Sequence, residues 1–373
     1  MIRKLLYLTY ITLDETPTSG SSVRPLKMKE AFECLGLDLK VFGGINNNLV
    51  VRRQTVSEIK GLLKEWEPDA CYIEPPSGPM FYHGDVRLIK TLHQIGVPTA
   101  IFYRDAYWKY PEYGNERPLL INEKMKQIIV KRMQLSQWKA FKKNIDLIYF
   151  PSMTMAQGFD CPHKDMLPPG GFEPDATEKS KISKPVQFIF VGGAARNYGT
   201  FLTLEAMEKL NKSGVRAKLT YVCPEQQWTR LGIDKDKYAD WLELIHTSGE
   251  ENLKPLYEKA DVALLTAPRT AYRDFAVPVK LFEYMSYLKP MLVTDCIETA
   301  KVINDNKVGW VVEDNVDSLV KKLDEICNHP KAIERVRGNM AEARSNNLWR
   351  RRAEKVVCDL SQILEEKDKE KEG

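Results

Sequence analysis

Residues 276–295 read Ala276-Val277-Pro278-Val279-Lys280-Leu281-Phe282-Glu283-Tyr284-Met285-Ser286-Tyr287-Leu288-Lys289-Pro290-Met291-Leu292-Val293-Thr294-Asp295. The stretch divides into a loop, a helix and a buried strand. Pro278 has the fixed φ that suits the first turn of a helix. Leu281, Met285 and Leu288 follow at spacings of four and three, on one helical face. Lys289-Pro290 stops the helix, because the residue before a proline is pushed out of the helical region. Met291-Leu292-Val293 is short, apolar and strand-like. Two charged side chains interrupt the apolar pattern, Lys280 at the helix start and Glu283 inside it. Two readings stay open. The two form a local ion pair at spacing three on a solvated face. Alternatively, the helix N-terminus and Lys280 meet a phosphate while Glu283 accepts hydrogen bonds from sugar hydroxyls.

The same alternation runs outward in both directions. Toward the N-terminus, strands are expected at residues 4–12, 37–42, 70–73, 98–103 and 146–150. Helices fall between them at residues 23–35, 56–66, 85–95 and 122–144. Residues 175–185 are polar and lysine-rich, which suits a linker. A second series follows, with strands at 186–191, 218–222, 242–246, 260–265 and 308–312 and helices at 201–211, 252–259 and 317–327. Strand–helix alternation of this kind implies an α/β fold with parallel sheets and right-handed crossovers. A last helix is expected over residues 347–364, with a frayed charged tail after it.

Composition narrows the class. The chain has 373 residues, enough for two ordinary domains. Its 43% hydrophobic and 28% charged residues are those of a globular protein. No apolar run reaches the ~20 residues that span a bilayer. The first residues lack a small-residue cleavage site and read as a buried strand. Seven cysteines are scattered without a C-x-x-C pair, which points to a reducing, cytoplasmic setting. A net charge of +4 is too small to imply nucleic acid, and no nucleic-acid motif is present. The positive charge is concentrated in residues 122–144, where Lys124, Lys126, Lys131, Arg132, Lys139, Lys142 and Lys143 face a single acid, Glu123. Such a segment is either a solvated face over a core or a surface for anionic lipid.

Pro278 to Met285 followed by Lys289-Pro290 resembles the donor-site helix of retaining glycosyltransferases of the GT-B fold, family 4 (group 1) type. In that family a Glu-x7-Glu pair ends on this helix, and its second glutamate holds the ribose of a sugar nucleotide. Glu283 matches that second glutamate. The first falls at Phe275, with Asp274 one residue earlier, so the pair is incomplete. The resemblance extends in outline over nearly the whole chain. It implies two doubly wound Rossmann-like domains facing across a cleft: residues 1–175 on the acceptor side, 176–346 on the nucleotide-sugar side, and 347–373 as a helix returning to the first domain.

The resemblance also assigns residues. Gly20 belongs to a small-residue loop whose backbone approaches the donor diphosphate. Arg104 and Asp105 end a strand where the family often carries a histidine; they are either a structural Arg–Asp pair, or Arg104 is on the acceptor side and Asp105 near the anomeric centre. Gly192-Gly193-Ala194-Ala195-Arg196 after a strand has a phosphate-site layout, with Gly193 at the donor and Arg196 and Lys280 as cations. It is not G-x-G-x-x-G, so hydride chemistry loses support. Cys223 stands where the backbone faces the base, and Asp274 and Pro278 flank the donor. His246 reads as a structural strand-end histidine. The implied activity is transfer of a sugar, with retention, from a nucleoside-diphosphate sugar to a glycan or lipid-linked acceptor, at the inner face of the cell membrane. No cofactor beyond the donor is implied. No metal is implied either, since no D-x-D stands at a strand end. The alternatives are a sugar-nucleotide 2-epimerase and a catalytically silent partner of a transferase.

Overall fold

A computed structural model describes residues 2–12, 20–109, 121–175 and 181–372. The chain forms two compact units, Met1–Pro168 with Trp349–Gly373, and Pro169–Leu348. Among the described residues each unit holds one six-stranded sheet.

The first sheet is built from β1 (Lys4–Thr9), β2 (Asp38–Phe42), β3 (Ala70–Glu74), β4 (Thr99–Phe102), β5 (Leu147–Phe150) and β6 (Lys164–Met166), in the order β2-β1-β3-β4-β5-β6. Every pairing is parallel. Strands β3, β4 and β5 are buried along their whole length, as the centre of a parallel sheet covered on both faces requires. The closing helix Trp349–Glu372 belongs to this unit. It sends Trp349, Ala353, Val356 and Leu360 into the core that holds Tyr7, Phe32 and Tyr72. The Tyr72 ring stacks on Tyr7 at 5.6 Å and meets Phe32 edge-on at 5.5 Å.

Several boundaries differ from the sequence expectation. The first helix begins at Gly20 and ends at Glu33. The second runs Leu49–Leu62, earlier than expected, because the Asn48 side chain caps it by accepting from Val51 N. The last helix does not fray after residue 364 but continues to Glu372. Residues 13–19 of the expected glycine loop and 176–180 of the expected linker lie outside the described residues.

The second sheet holds β7 (Val186–Val191), β8 (Ala217–Val222), β9 (Leu242–Ile245), β10 (Val262–Leu265), β11 (Met291–Thr294) and β12 (Gly309–Val312), in the order β12-β11-β10-β7-β8-β9. Numbered from β7, this is the doubly wound order 3-2-1-4-5-6. Separate cores cover its two faces. Leu204, Met207, Leu319 and Leu323 pack on one, and Leu253, Tyr257, Leu281 and Met285 on the other. The winding reverses between β7 and β10, and there the pairing is short. Val262 faces Phe188 and Ala263 faces Ile189, and the register stops before Val191 and Leu265. Open sheets of this kind bind ligands where the strand ends part at such a reversal.

Candidate functional site

The parted ends of β7 and β10 organise the second unit. The hydroxyl of Tyr284 accepts from Val191 N at 2.9 Å and lies 3.4 Å from the carbonyls of Val191 and Leu264. One buried phenol thus bridges backbone that the sheet leaves unpaired. Tyr284 lies on the helix Val279–Ser286, whose N-cap Pro278 has φ −66° and makes no side-chain cap. Leu281, Phe282, Tyr284 and Met285 of that helix are buried, which leaves Lys280 and Glu283 on its outer stripe.

Lys280 and Glu283 are paired. Lys280 Nζ donates to both carboxylate oxygens at 2.7 Å. The side chains are 31% and 18% exposed, so both keep access to solvent and to a ligand. The pair at spacing three read from the sequence is therefore present in the structure. Any phosphate at Lys280 competes with Glu283. A third partner comes from outside the helix: Tyr257, on the helix Glu250–Lys259, donates to Glu283 Oε1 at 2.5 Å.

The glycine-rich turn after β7 is shaped by close approach. Gly199 has φ +79°, and a Cβ there would lie 1.9 Å from the carbonyl oxygen of Thr266 just past β10. A Cβ at Gly193 would meet the Tyr198 ring at 2.7 Å. Two N–H groups of this turn are already engaged by side chains. Ala194 N donates to Gln227 Oε1 at 2.9 Å, and Ala195 N donates to Thr200 Oγ1 at 3.0 Å. A phosphate at these two N–H groups would have to displace the Gln227 and Thr200 side chains.

Arg196 is exposed, with its guanidinium 4.5 Å from the Phe201 ring centroid. Arg273, on the short helix Ala271–Phe275 within the expected loop, reaches back to this turn. Its Nη2 donates to the Asn197 carbonyl at 3.1 Å, and its guanidinium stands 5.0 Å from the Tyr198 centroid. The turn after β7 and the segment after β10 are thereby tied across the strand gap, with Arg196, Arg273 and Lys280 bringing three cations to this sheet edge.

The other donor-side residues divide. Asp274 is held by Arg269, whose Nε lies 2.9 and 3.2 Å from its two oxygens, and it accepts from Ile297 N at 3.2 Å. Phe275, at the position of the missing glutamate, is buried. Cys223 turns its thiol into the core, and burial pushes that thiol up to about 12. Its backbone N–H donates to the Ile245 carbonyl at 3.1 Å. Its carbonyl is 2.9 Å from His246 Nδ1, which gives His246 the structural role read for it.

In the first unit Gly20 opens a helix, and the loop before it lies outside the described residues. Arg104 follows β4 and donates from Nη2 to Glu74 Oε2 at 3.0 Å. Glu74 is the last residue of β3, and its Oε1 accepts from Arg24 Nε and from the Tyr72 hydroxyl, each at 2.8 Å. Arg24 lies 3.5 Å over the Phe102 ring and also donates to the Leu167 carbonyl. Arg104 and Asp105 line a small pocket with Tyr103, Ser77, Gln134 and Gln137. The sequence reading missed Glu74, Tyr257, Tyr284 and the reach of Arg273. None has a local signal, because each acts on a partner more than twenty residues away in sequence.

Residues 172–343, just under half of the chain and nearly all of the second unit, match the family model for glycosyl transferases group 1. No curated protein matches the chain by sequence. Solved structures share the fold over almost their whole length. Sucrose-phosphate synthase from Thermosynechococcus elongatus superposes with a TM-score of 0.71 at 13% identity, covering 97% of this chain and 99% of that one. A glycosyltransferase from Rickettsia africae ESF-5 gives 0.68 at 12% identity, covering 97% and 99%. The Anabaena protein HepE, solved in complex with UDP, gives 0.63 at 12% identity, covering 96% and 100%. The resemblance read in the helix at Glu283 thus meets a group 1 match over the same residues, and the fold is the GT-B fold of glycosyltransferases.

Proposed function

We propose that the chain transfers a hexosyl group from a nucleoside-diphosphate sugar, with retention, to a glycan or lipid-linked acceptor in cell-surface polysaccharide or glycoconjugate synthesis. One observation carries the proposal. Lys280 and Glu283 stand as a half-exposed pair beside the β7–β10 gap, within a span that matches group 1 glycosyl transferases. Glu283 would hold the ribose. Departure of the diphosphate develops negative charge, and Arg196, Lys280 and the uncapped start of helix Val279–Ser286 would stabilise it without a metal. Gly193, Pro278 and the Cys223 backbone would border the donor. In the first unit Arg104 and Asp105 line one small pocket and would serve the acceptor there.

The first unit also offers a surface for anionic lipid at the cytoplasmic face. In helix Ile121–Asn144, residues 124–129 and 131–132 are all exposed. Met125, Ile128 and Ile129 are more than half exposed beside Lys124, Lys126, Lys131 and Arg132. Apolar and basic side chains mixed in this way suit an anionic bilayer surface. Among the described residues no helix is long and apolar enough to cross a membrane.

A thermal-shift screen over UDP-, GDP-, ADP- and dTDP-sugars tests the donor, because a ligand of the native state raises the melting temperature. Incubation with the donor so found, with and without a lipid-linked acceptor, tests the reaction. Transfer only with acceptor supports the proposal, whereas donor altered without acceptor indicates an epimerase. One observation favours a second reading, a silent partner: Phe275 replaces the first glutamate and Asp274 is committed to Arg269. Donor binding with no turnover under either condition would select it.

A further inference from the structure

Glu283 has a partner that the donor reading does not use. The Tyr257 ring is fully buried, stacked on Tyr287 at 4.4 Å and edge-on to Tyr284 at 5.9 Å. Its hydroxyl donates to Glu283 Oε1 at 2.5 Å. Burial first, and the Glu283 charge next, hold the phenol proton far above its usual range. The contact is therefore a charge-assisted O–H···O⁻ bond, among the stronger hydrogen bonds in proteins.

Counting acceptor positions shows what this bond does. A carboxylate offers about four lone-pair sites, two on each oxygen. Among the described residues, Oε1 takes Tyr257 and Lys280, and Oε2 takes Lys280 alone. A ligand presenting two hydroxyls to Glu283 therefore needs Lys280 to withdraw. Lys280 is free to do so, being partly exposed, on a flexible stem and attracted to phosphate. Tyr257 is not, because its ring is fixed between two others.

We propose that Tyr257 is a positioning residue. It pins Oε1 so that, when Lys280 exchanges Glu283 for the diphosphate of a donor, the carboxylate keeps its place with its remaining acceptor sites turned to the sugar hydroxyls. This rests on the donor reading of the second unit. Without Tyr257 the carboxylate follows Lys280, and each binding event has to order it again.

The test is Tyr257→Phe, which keeps the stacked ring and removes one hydroxyl. Isothermal titration with UDP, GDP, ADP and dTDP identifies the nucleotide that the wild type binds. For that nucleotide the variant should bind about tenfold more weakly, the worth of a hydrogen bond to a charged group. For the corresponding nucleotide sugar, KM should rise by more than kcat falls. In a Glu283→Gln background the same change should cost little further, since Tyr257 acts through that carboxylate. Unchanged nucleotide affinity in Tyr257→Phe, or an equal loss in both backgrounds, overturns the proposal and leaves the donor reading standing. A wild type that binds none of the four overturns the donor reading and this proposal with it.

Discussion

Both sheets are six-stranded and parallel, and their units spend their charges differently. In the first unit the carboxylate ending β3, Glu74, is sealed from water and gripped by Arg24 and Arg104, with side-chain exposures of 0%, 4% and 11%. Arg52 and Asp85 form a second sealed pair, each 1% exposed. In the second unit the matching region keeps its charges half open, with Glu283 and Lys280 at 18% and 31%. A buried charge that loses its partner has no water to turn to, whereas a half-open one does. The first arrangement fixes a scaffold. The second can exchange partners, which a ligand site requires.

The sharpest way to break this contrast is to remove the two carboxylates in turn. Glu74→Gln removes the counter-charge of the buried Arg24, and should cost ~3–5 kcal/mol of stability. Glu283→Gln should cost less, about 1–2 kcal/mol, because Lys280 can turn to solvent and the amide oxygen still accepts from Tyr257. Thermal and urea denaturation measure both, and nucleotide titration should report the reverse order, with affinity weakened but still measurable in Glu283→Gln and little changed in Glu74→Gln. Equal stability losses in the two variants would erase the distinction drawn between the units.

Next in size is the loss of a cation at the proposed donor site. Lys280→Ala should lower turnover roughly 10²–10³-fold, the scale of one preorganised electrostatic stabiliser, with little change in melting temperature. Arg196→Ala should act in the same direction, since Arg196 is exposed and its removal leaves no buried partner behind. A near-normal rate in Lys280→Ala would remove that residue from the mechanism.

Backbone substitutions compare the units at finer grain. Gly36 in the first unit has φ +72° with nothing within 4 Å of a Cβ, so Gly36→Ala should cost only the left-handed penalty of ~1–2 kcal/mol. Gly199 carries the same penalty, and its Cβ would also strike the Thr266 carbonyl. Gly199→Ala should therefore destabilise more than Gly36→Ala and weaken nucleotide binding as well, because it pries apart the turn after β7 and the end of β10.

Much of this was legible from local chemistry. Val186–Val191 is an apolar run closed by two glycines, and the structure begins and ends it where the pattern does. Pro278, Lys280 and Glu283 could be read together because all three lie within six residues at the start of one helix. The shortfalls have physical causes. The start at Asn48 was missed because the cap is a single side-chain bond to Val51 N within a run of asparagines. The tail past residue 364 was expected to fray because its residues are charged. Yet Ile363 and Leu364 pack against the first core and carry the helix onward. Glu74, Tyr257 and Arg273 lay beyond reach, because their partners come together only once the sheets are wound.

The smallest expected effect reads the two units separately through their thiols. All seven cysteines are free, with Cys34 and Cys358 exposed and Cys71 and Cys223 buried. Burial raises the Cys71 thiol well above its usual range and the Cys223 thiol to about 12, so neither supplies thiolate near pH 8. A thiol reagent at pH 8 should label Cys34 and Cys358 quickly in the native protein, and Cys71 and Cys223 only when their unit opens. Cys71 lies on β3, three residues before Glu74, whereas Cys223 directly follows β8 in the other unit. In Glu74→Gln, labelling of Cys71 should therefore speed up at urea concentrations where Cys223 stays protected, since opening of the first unit need not open the second. Labelling of both at one common rate would mean that the two units open together, and that the sealed charges of the first support the second as well.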